Sequence, residues 1–142
     1  MMAFLDTSVL VATFFADHEH HSPSLDVFLR YRKGEACCAA HSLAEVYATI
    51  TRMPPPRRVS ADQALLFLGS VREQLTLIAL DDAEYFKTME ASADLGLSGG
   101  AIYDAVLGRC ALKADAEVIY TWNSKDFLRL GEQIAGRLKT PE

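Results

Sequence analysis

Three acidic residues that are far apart in the sequence each lie where a local element ends or begins. Asp6 follows the apolar run Met-Ala-Phe-Leu, Glu45 lies in the first turn of a predicted helix, and Asp104 lies near the start of another. If the fold brings them together, their carboxylates repel one another unless a cation joins them. Mg²⁺ and Mn²⁺ prefer oxygen ligands of this kind and can activate water for phosphodiester cleavage. The three residues therefore predict a metal-dependent site.

Each of the three acids also has a structural alternative. An aspartate at the position of Asp6 often caps the next helix. Ser42 and Glu45 have the Ser-x-x-Glu spacing of a capping box, which would use the carboxylate to hold a backbone N–H. An aspartate near a helix start, such as Asp104, is favourable because it interacts with the helix dipole. Spacing alone leaves both roles open for all three residues.

Short apolar segments alternate with helical patterns along the whole chain. Strands are predicted over residues 2–6, 35–40, 75–80 and 117–122, with a short fifth strand near 134–138. Helices are predicted over about 7–15, 22–33, 42–53, 60–74, 81–95 and 102–114. This order predicts one domain over residues 1–142, an α/β fold with three layers (α/β/α) and a mostly parallel sheet of four to five strands. In such a sheet, ligands bind beyond the carboxyl ends of the strands.

Several helix starts carry residues with capping chemistry. The candidates are Thr7 or Ser8 for the first helix, Ser22 followed by Pro23 for the second, and Ser60 with Gln63 as a capping box for the fourth. The apolar residues of that fourth helix keep helical spacing at Ala61, Ala64, Leu65, Leu68, Val71 and Leu75. This stripe is predicted to be core or a dimer surface.

The bulk composition is that of a globular protein, with 142 residues, 50% hydrophobic residues and a formal charge of −5. The negative balance argues against a protein coated with positive charge. No segment is long and apolar enough for a membrane helix, and the apolar start, interrupted by Asp6 and without a basic region, is not expected to be a signal peptide. Cys37, Cys38 and Cys110 are expected to be buried free thiols, which suits a cytoplasmic location.

Four segments together resemble a known family. They are Phe4–Leu10, Ser42–Tyr47, Ile102–Leu107 and Tyr120–Phe127, and they occur in the family's order across nearly the whole chain. The sequence is similar to PIN-domain ribonucleases, specifically the VapC-type toxins of bacterial and archaeal toxin–antitoxin pairs. The resemblance implies an endoribonuclease that depends on Mg²⁺ or Mn²⁺, acts on RNA, usually forms a homodimer and is inhibited by a cognate VapB-like antitoxin.

The resemblance also implies roles for individual residues. Asp6, Glu45 and Asp104 match the family's acidic metal ligands, whereas Asn123 occupies a position at which many members have a fourth acid. Polar side chains that could hold waters or orient carboxylates around these ligands are Thr7, Ser8, Thr121, Asn123 and Asp126. Because of the amide at position 123, the alternative function is a catalytically weakened PIN-fold protein-binding module.

Two further segments carry potentially functional side chains. Residues 17–21 (Asp-His-Glu-His-His) resemble a metal cluster but lack the spacing of zinc sites, so a solvated loop is expected. Arg52, Arg57 and Arg58 surround a run of prolines. They could contact phosphates or an acidic segment of an antitoxin, or be a solvated loop, and the sequence does not decide between these roles.

Overall fold

The strands of the protein are short, apolar and parallel. A computed structural model describes all residues from 1 to 142. The strands are β1 (Ala3–Leu5), β2 (Ala36–Ala39), β3 (Thr76–Ile78), β4 (Val118–Tyr120) and β5 (Leu138–Lys139). They form one sheet in the order β3-β2-β1-β4-β5, and every neighbouring pair is parallel. Parallel neighbours need a crossover connection, which is why helices separate the strands along the chain.

Eight helices make these connections and cover the sheet. They are α1 (Thr7–Phe14), α2 (His21–Arg30), α3 (His41–Thr51), α4 (Ala61–Gln74), α5 (Asp82–Asp94), α6 (Ala101–Lys113), α7 (Ser124–Leu128) and α8 (Glu132–Ala135). None of them is long and apolar enough to cross a membrane.

Alternate side chains of the strands enter two separate hydrophobic cores. In β1, Ala3 and Leu5 join the core beneath α1 to α4, whereas Phe4 joins the core beneath α6 to α8. This alternation follows from the two-residue period of a strand, and it requires apolar residues on both faces because both are covered. The predicted three-layer α/β/α sandwich with a parallel sheet is therefore confirmed.

The cap of α1 differs from the prediction. Asp6, rather than Thr7 or Ser8, is the N-cap residue, and its side chain accepts a hydrogen bond from the Ser8 backbone N–H at 3.4 Å. The Ser8 hydroxyl instead donates to the same carboxylate at 2.8 Å. The helix starts immediately after β1, so the acid at the strand end occupies the capping position and the two hydroxyl residues lie within the first turn.

The capping box predicted for α3 does not form. The helix begins at His41, two residues earlier than the box requires, and its N-cap residue Ala40 has no side-chain cap. Ser42 is therefore inside the first turn, and its hydroxyl lies 2.8 Å from that of Thr7. Glu45 therefore does not cap α3, and its carboxylate is free to make other contacts. By contrast, the capping box predicted at the start of α4 forms as expected.

Two other boundaries are corrected by the structure. Helix α2 begins at His21, so Pro23 is its third residue and not its first; it still lies in the first turn, where a missing N–H breaks no intrahelical bond. The segment 134–138 is not a strand throughout, because Ile134 belongs to α8 and only the last residue of the segment enters β5. Ile134 packs into the second core from this helix, and a short apolar run does not distinguish the two conformations.

The apolar stripe of α4 is only partly core. Ala64 and Val71 are fully buried, whereas Leu65 is 59% exposed and its neighbour Leu66 is 75% exposed. The prediction that Leu65 could lie in the core is thus wrong, and its role in a dimer surface stays a prediction.

The cysteines are buried free thiols, as expected. Burial raises the pKa of Cys37 and of Cys38 to about 12 and the pKa of Cys110 to about 11. The thiols are therefore neutral at physiological pH and behave as small apolar side chains.

A matched pair of substitutions tests the second core. Phe127 is fully buried, so Phe127→Ala removes a large side chain from close packing and should lower the free energy of unfolding by about 3–5 kcal/mol. Phe86→Ala makes the same change at a side chain that is 68% exposed, and should alter the free energy of unfolding by about 0.5 kcal/mol or less. Urea unfolding followed by circular dichroism measures both, and equal losses would contradict the assignment of this core.

Candidate active site

The candidate site lies beyond the carboxyl end of the central strand. The chain passes from β1 to β2 and β3 on one side, and then crosses to β4 and β5 on the other. The reversal leaves a crevice above the end of β1, which is where open parallel sheets bind ligands. Asp6 follows β1 and faces this crevice, and Thr121, which follows β4, is buried behind it and bonds to the Asp6 carboxylate.

A cavity of about 480 Å³ occupies this position. Its lining combines acids, hydroxyls and imidazoles: Asp6, Thr7, Ser8, Val11, His18, Glu19, His20, Glu45, Thr49, Asp104, Leu107, Trp122 and Asn123. The three acids singled out in the sequence thus face one cavity, although they come from the loop after β1, from α3 and from α6.

Asp6 is the most buried of the acids, with only 2% of its surface exposed. Its Oδ2 atom accepts hydrogen bonds at 2.8 Å from the hydroxyls of Ser8 and Thr121. Burial raises the pKa of Asp6, because it disfavours the charged form, and the hydrogen bonds from Ser8 and Thr121 act in the opposite direction. The two hydroxyls fix the carboxylate and also join α1 and the end of β4 to it.

Glu45 is held by a separate hydroxyl. The Thr7 Oγ1 atom lies 2.8 Å from Glu45 Oε1 and 2.8 Å from Ser42 Oγ. Because an ionised carboxylate can only accept, the Thr7 hydroxyl donates to Glu45. Neighbouring hydroxyl residues of the first turn of α1 thus position two different acids, Thr7 for Glu45 and Ser8 for Asp6.

Asp104, in the first turn of α6, has an unusually high proton affinity. Its pKa is raised to about 6, first by burial and then by the negative charges of Asp6, Asp126 and Glu45, while Arg129 acts in the opposite direction. Asp6, Glu45 and Asp104 form no ion pair with a lysine or arginine; the fourth acid of the lining, Glu19, lies 3.5 Å from His20. The cavity therefore concentrates negative charge that the protein itself does not neutralise.

The donor set fits a hard divalent cation, but it is not a closed cage. All the acidic groups present oxygen atoms, which such cations prefer. No three His, Cys, Asp or Glu side chains, however, are gathered closely enough to hold a metal ion between them. The arrangement suits an ion that uses one or two carboxylates and keeps several waters, as Mg²⁺ usually does.

The polar residues predicted around the site differ in what they contact. Thr7, Ser8 and Thr121 each bond directly to an acid of the cavity. Asn123 lines the cavity, and its backbone N–H donates to Thr121 Oγ1 at 2.9 Å. Asp126 does not line the cavity; it is exposed, lies 3.6 Å from Arg129 and acts on Asp104 only through its charge.

One wall of the cavity was not anticipated from the sequence. His18, Glu19 and His20 line it; Glu19 is exposed, as expected of a solvated loop, whereas His18 and His20 are only partly exposed. The ring of His20 stacks on Trp122 with centroids 3.7 Å apart and an angle of 8° between the planes. Neither the stack nor the cavity can be inferred from local spacing, because Trp122 is distant in sequence.

The arginine-rich loop is exposed and close to the histidine loop. Arg57 forms an ion pair of 2.8 Å with Asp17, and Arg58 Nε donates to the backbone carbonyl of Met53. These contacts hold the loop in place, but whether the arginines bind phosphate stays a prediction.

Known proteins share both the sequence pattern and the fold. Residues 3–133 match the PIN domain family. The chain is 33% identical over 114 residues to Ribonuclease VapC40 of Mycobacterium tuberculosis, an alignment that covers 80% of this chain and 81% of that protein. It is 28% identical over 114 residues to Ribonuclease VapC27 of the same organism, with 80% of each chain covered.

Among solved structures, the fold is similar to that of VapBC2 from Rickettsia felis, which was crystallised with a DNA fragment from its promoter. The TM-score is 0.69 at 19% identity, and the whole of both chains is covered. At this identity the likeness concerns the fold, and it agrees with the parallel five-stranded sheet described above. Together with the family match over most of its length, these findings mean that the chain belongs to the PIN-domain family.

Proposed function

We propose that the protein is a metal-dependent endoribonuclease of the VapC type, in which Asp6, Glu45 and Asp104 hold the metal, one or two of them directly and the rest through its waters. The observation that carries the proposal is that these three carboxylates line the same cavity beyond β1, and none of them has a lysine or arginine partner. The ribonuclease names of its relatives VapC40 and VapC27 supply the substrate class.

The proposed cofactor is Mg²⁺ or Mn²⁺. Either ion, when bound, would supply positive charge that acidifies a water and offsets the negative charge developing on the phosphate. The excess of carboxylates in the cavity favours such binding, because a cation relieves the repulsion that, after burial, contributes to the raised pKa of Asp104. Asn123 provides an amide oxygen at the cavity and not a fourth charge, so affinity should depend on the other acids.

The residues of the chain have distinct tasks in this proposal. Ser8 and Thr121 keep the Asp6 carboxylate in one orientation, and Thr7 does the same for Glu45. Held in this way, the acids need little reorganisation when the ion and the RNA enter. Asp104, whose pKa is raised to about 6, must lose its proton before it can bind a cation.

The same proposal includes two protein partners. A VapB-like antitoxin is the first, supported by the structural likeness to VapBC2. A second copy of the chain is the other, and the exposed pair Leu65 and Leu66 on α4 is an apolar surface that a homodimer could cover. In this account the protein is the toxin of a toxin–antitoxin pair.

The first prediction concerns the acids. Asp6→Asn and Asp104→Asn should each lower Mn²⁺-dependent RNA cleavage by at least about 100-fold, because each removes a negative charge from the cation site. Cleavage of a labelled RNA and Mn²⁺ binding by calorimetry measure the two effects, and circular dichroism checks the fold.

Asp94→Asn is the matched control, because it makes the same change at an exposed residue outside the cavity. It should leave both activity and Mn²⁺ binding at the parental level. An Asp6→Asn protein that cleaves RNA as fast as the parent would contradict the assignment. A parent that binds a partner but cleaves no RNA with Mn²⁺ would instead support the non-catalytic protein-binding module.

The second prediction concerns pH in the absence of metal. Asp104 has a pKa of about 6 in the folded protein and an ordinary value of 3.8, so the folded state binds more protons between these values. The contribution of Asp104 to the free energy of unfolding should therefore be greatest below about pH 4, and it should be lost as the pH rises through 6. The raised pKa of Asp6 acts with the same sign.

Urea unfolding in EDTA at pH values from about 4 to 7 measures this dependence. Asp104→Asn should flatten the decrease without abolishing it, because Asp6 remains. The same slope in the parent and in Asp104→Asn would show that Asp104 is not the destabilising carboxylate.

A further inference from the structure

The side chains that line the cavity proposed for RNA cleavage include several acids but no strong base. Its lining includes four acids and no lysine or arginine. An RNA phosphate, which presents only acceptor oxygens, needs hydrogen-bond donors there in addition to any cation. The hydroxyls of Thr7 and Ser8 are already engaged with the carboxylates. His18 and His20 line the wall with ring nitrogens that can donate a hydrogen bond, and His20 Nε2 already lies 3.5 Å from Glu19.

The loop that carries these histidines is fixed with respect to the acids. His20 stacks on Trp122, whose Nε1–H donates to the buried Ser24 hydroxyl at 2.8 Å. The backbone N–H of Trp122 donates to Ser8 Oγ at 3.0 Å, and Ser8 in turn donates to Asp6. A continuous series of contacts thus runs from the His20 ring to the Asp6 carboxylate.

His18 has a defined hydrogen-bonding state within this loop. Its Nδ1 atom accepts a hydrogen bond from the backbone N–H of His20 at 3.0 Å. A neutral imidazole that accepts at Nδ1 carries its proton at Nε2, so the remaining ring nitrogen is a donor. Such a ring is poorly suited to bind a metal at Nε2 and well suited to bind an acceptor oxygen.

We infer that His18 binds the RNA substrate, donating a hydrogen bond from Nε2 to a phosphate oxygen in the cavity, while the His20–Trp122 stack holds the loop in position. The inference rests on the proposed function, because that function brings a phosphodiester to the carboxylates that line the same cavity. It gives the histidine loop the role of a substrate-binding wall.

Two substitutions at His18 test its Nε2 donor separately from the hydrogen bond that its Nδ1 atom accepts from the His20 N–H. His18→Asn keeps an acceptor for the His20 N–H, because an asparagine side chain readily accepts from the backbone two residues on, but it withdraws the donor from the cavity. His18→Gln places an amide N–H near the position of Nε2 and should restore much of the lost binding. His21→Asn is the control, because His21 contacts the Ala12 carbonyl and does not line the cavity.

The first measurement is steady-state cleavage of a short labelled single-stranded RNA with Mn²⁺. The second is binding of the same RNA, followed by anisotropy with Mg²⁺, to proteins that also carry Asp104→Asn. His18→Asn should raise KM and weaken RNA binding by about tenfold while kcat and Mn²⁺ affinity change little, since one hydrogen bond to a charged acceptor is lost. His18→Gln should lie close to the parent, and His21→Asn should equal it.

Parental KM and RNA affinity in His18→Asn would overturn the inference, as would a loss of affinity of equal size in His18→Gln or in His21→Asn. The proposed function fails in a different way, namely if the parent does not cleave RNA at all. In that case the binding measurement in the Asp104→Asn background still decides whether His18 contacts RNA.

Discussion

The buried carboxylate of Asp6 is the constraint on which the arrangement of the site depends. A charged group at 2% exposure is costly unless hydrogen bonds replace its lost water. Ser8 and Thr121 supply those bonds, and in doing so they join the first turn of α1 and the end of β4 to the end of β1. The same contacts that stabilise the buried acid therefore align the elements that form the floor of the cavity.

The topology of the sheet explains why this acid lies where it can be used. β1 is the central strand, with β2 on one side and β4 on the other. The connection leaving β1 runs toward β2 and the connection leaving β4 runs toward β5, so the two diverge and open a crevice. α3 and α6 then bring Glu45 and Asp104 to the walls of that crevice. The raised pKa of Asp104, due in part to the charges of Asp6 and Glu45, is the electrostatic consequence of this convergence.

Much of this arrangement could be predicted from the sequence, because strands with apolar residues on both faces and helices between them imply a parallel sheet with polar residues at one rim. The errors have local causes. The N-cap of α3 lies two residues before the position that the apparent capping box required, so Ser42 contacts Thr7 instead. The histidine wall was missed because its position depends on packing against Trp122, which lies about a hundred residues away and leaves no periodic signal in the sequence.

The adjacent cysteines of β2 have a practical consequence. Because successive strand residues point to opposite faces, Cys37 lies in the core beneath α6 to α8 and Cys38 in the core beneath α1 to α4. Both thiols are neutral and shielded in the folded protein, so a thiol reagent can modify either one only after the helical layer above it has moved away. The two adjacent cysteines of this strand thus act as separate intrinsic probes of local opening, one for each side of the sheet.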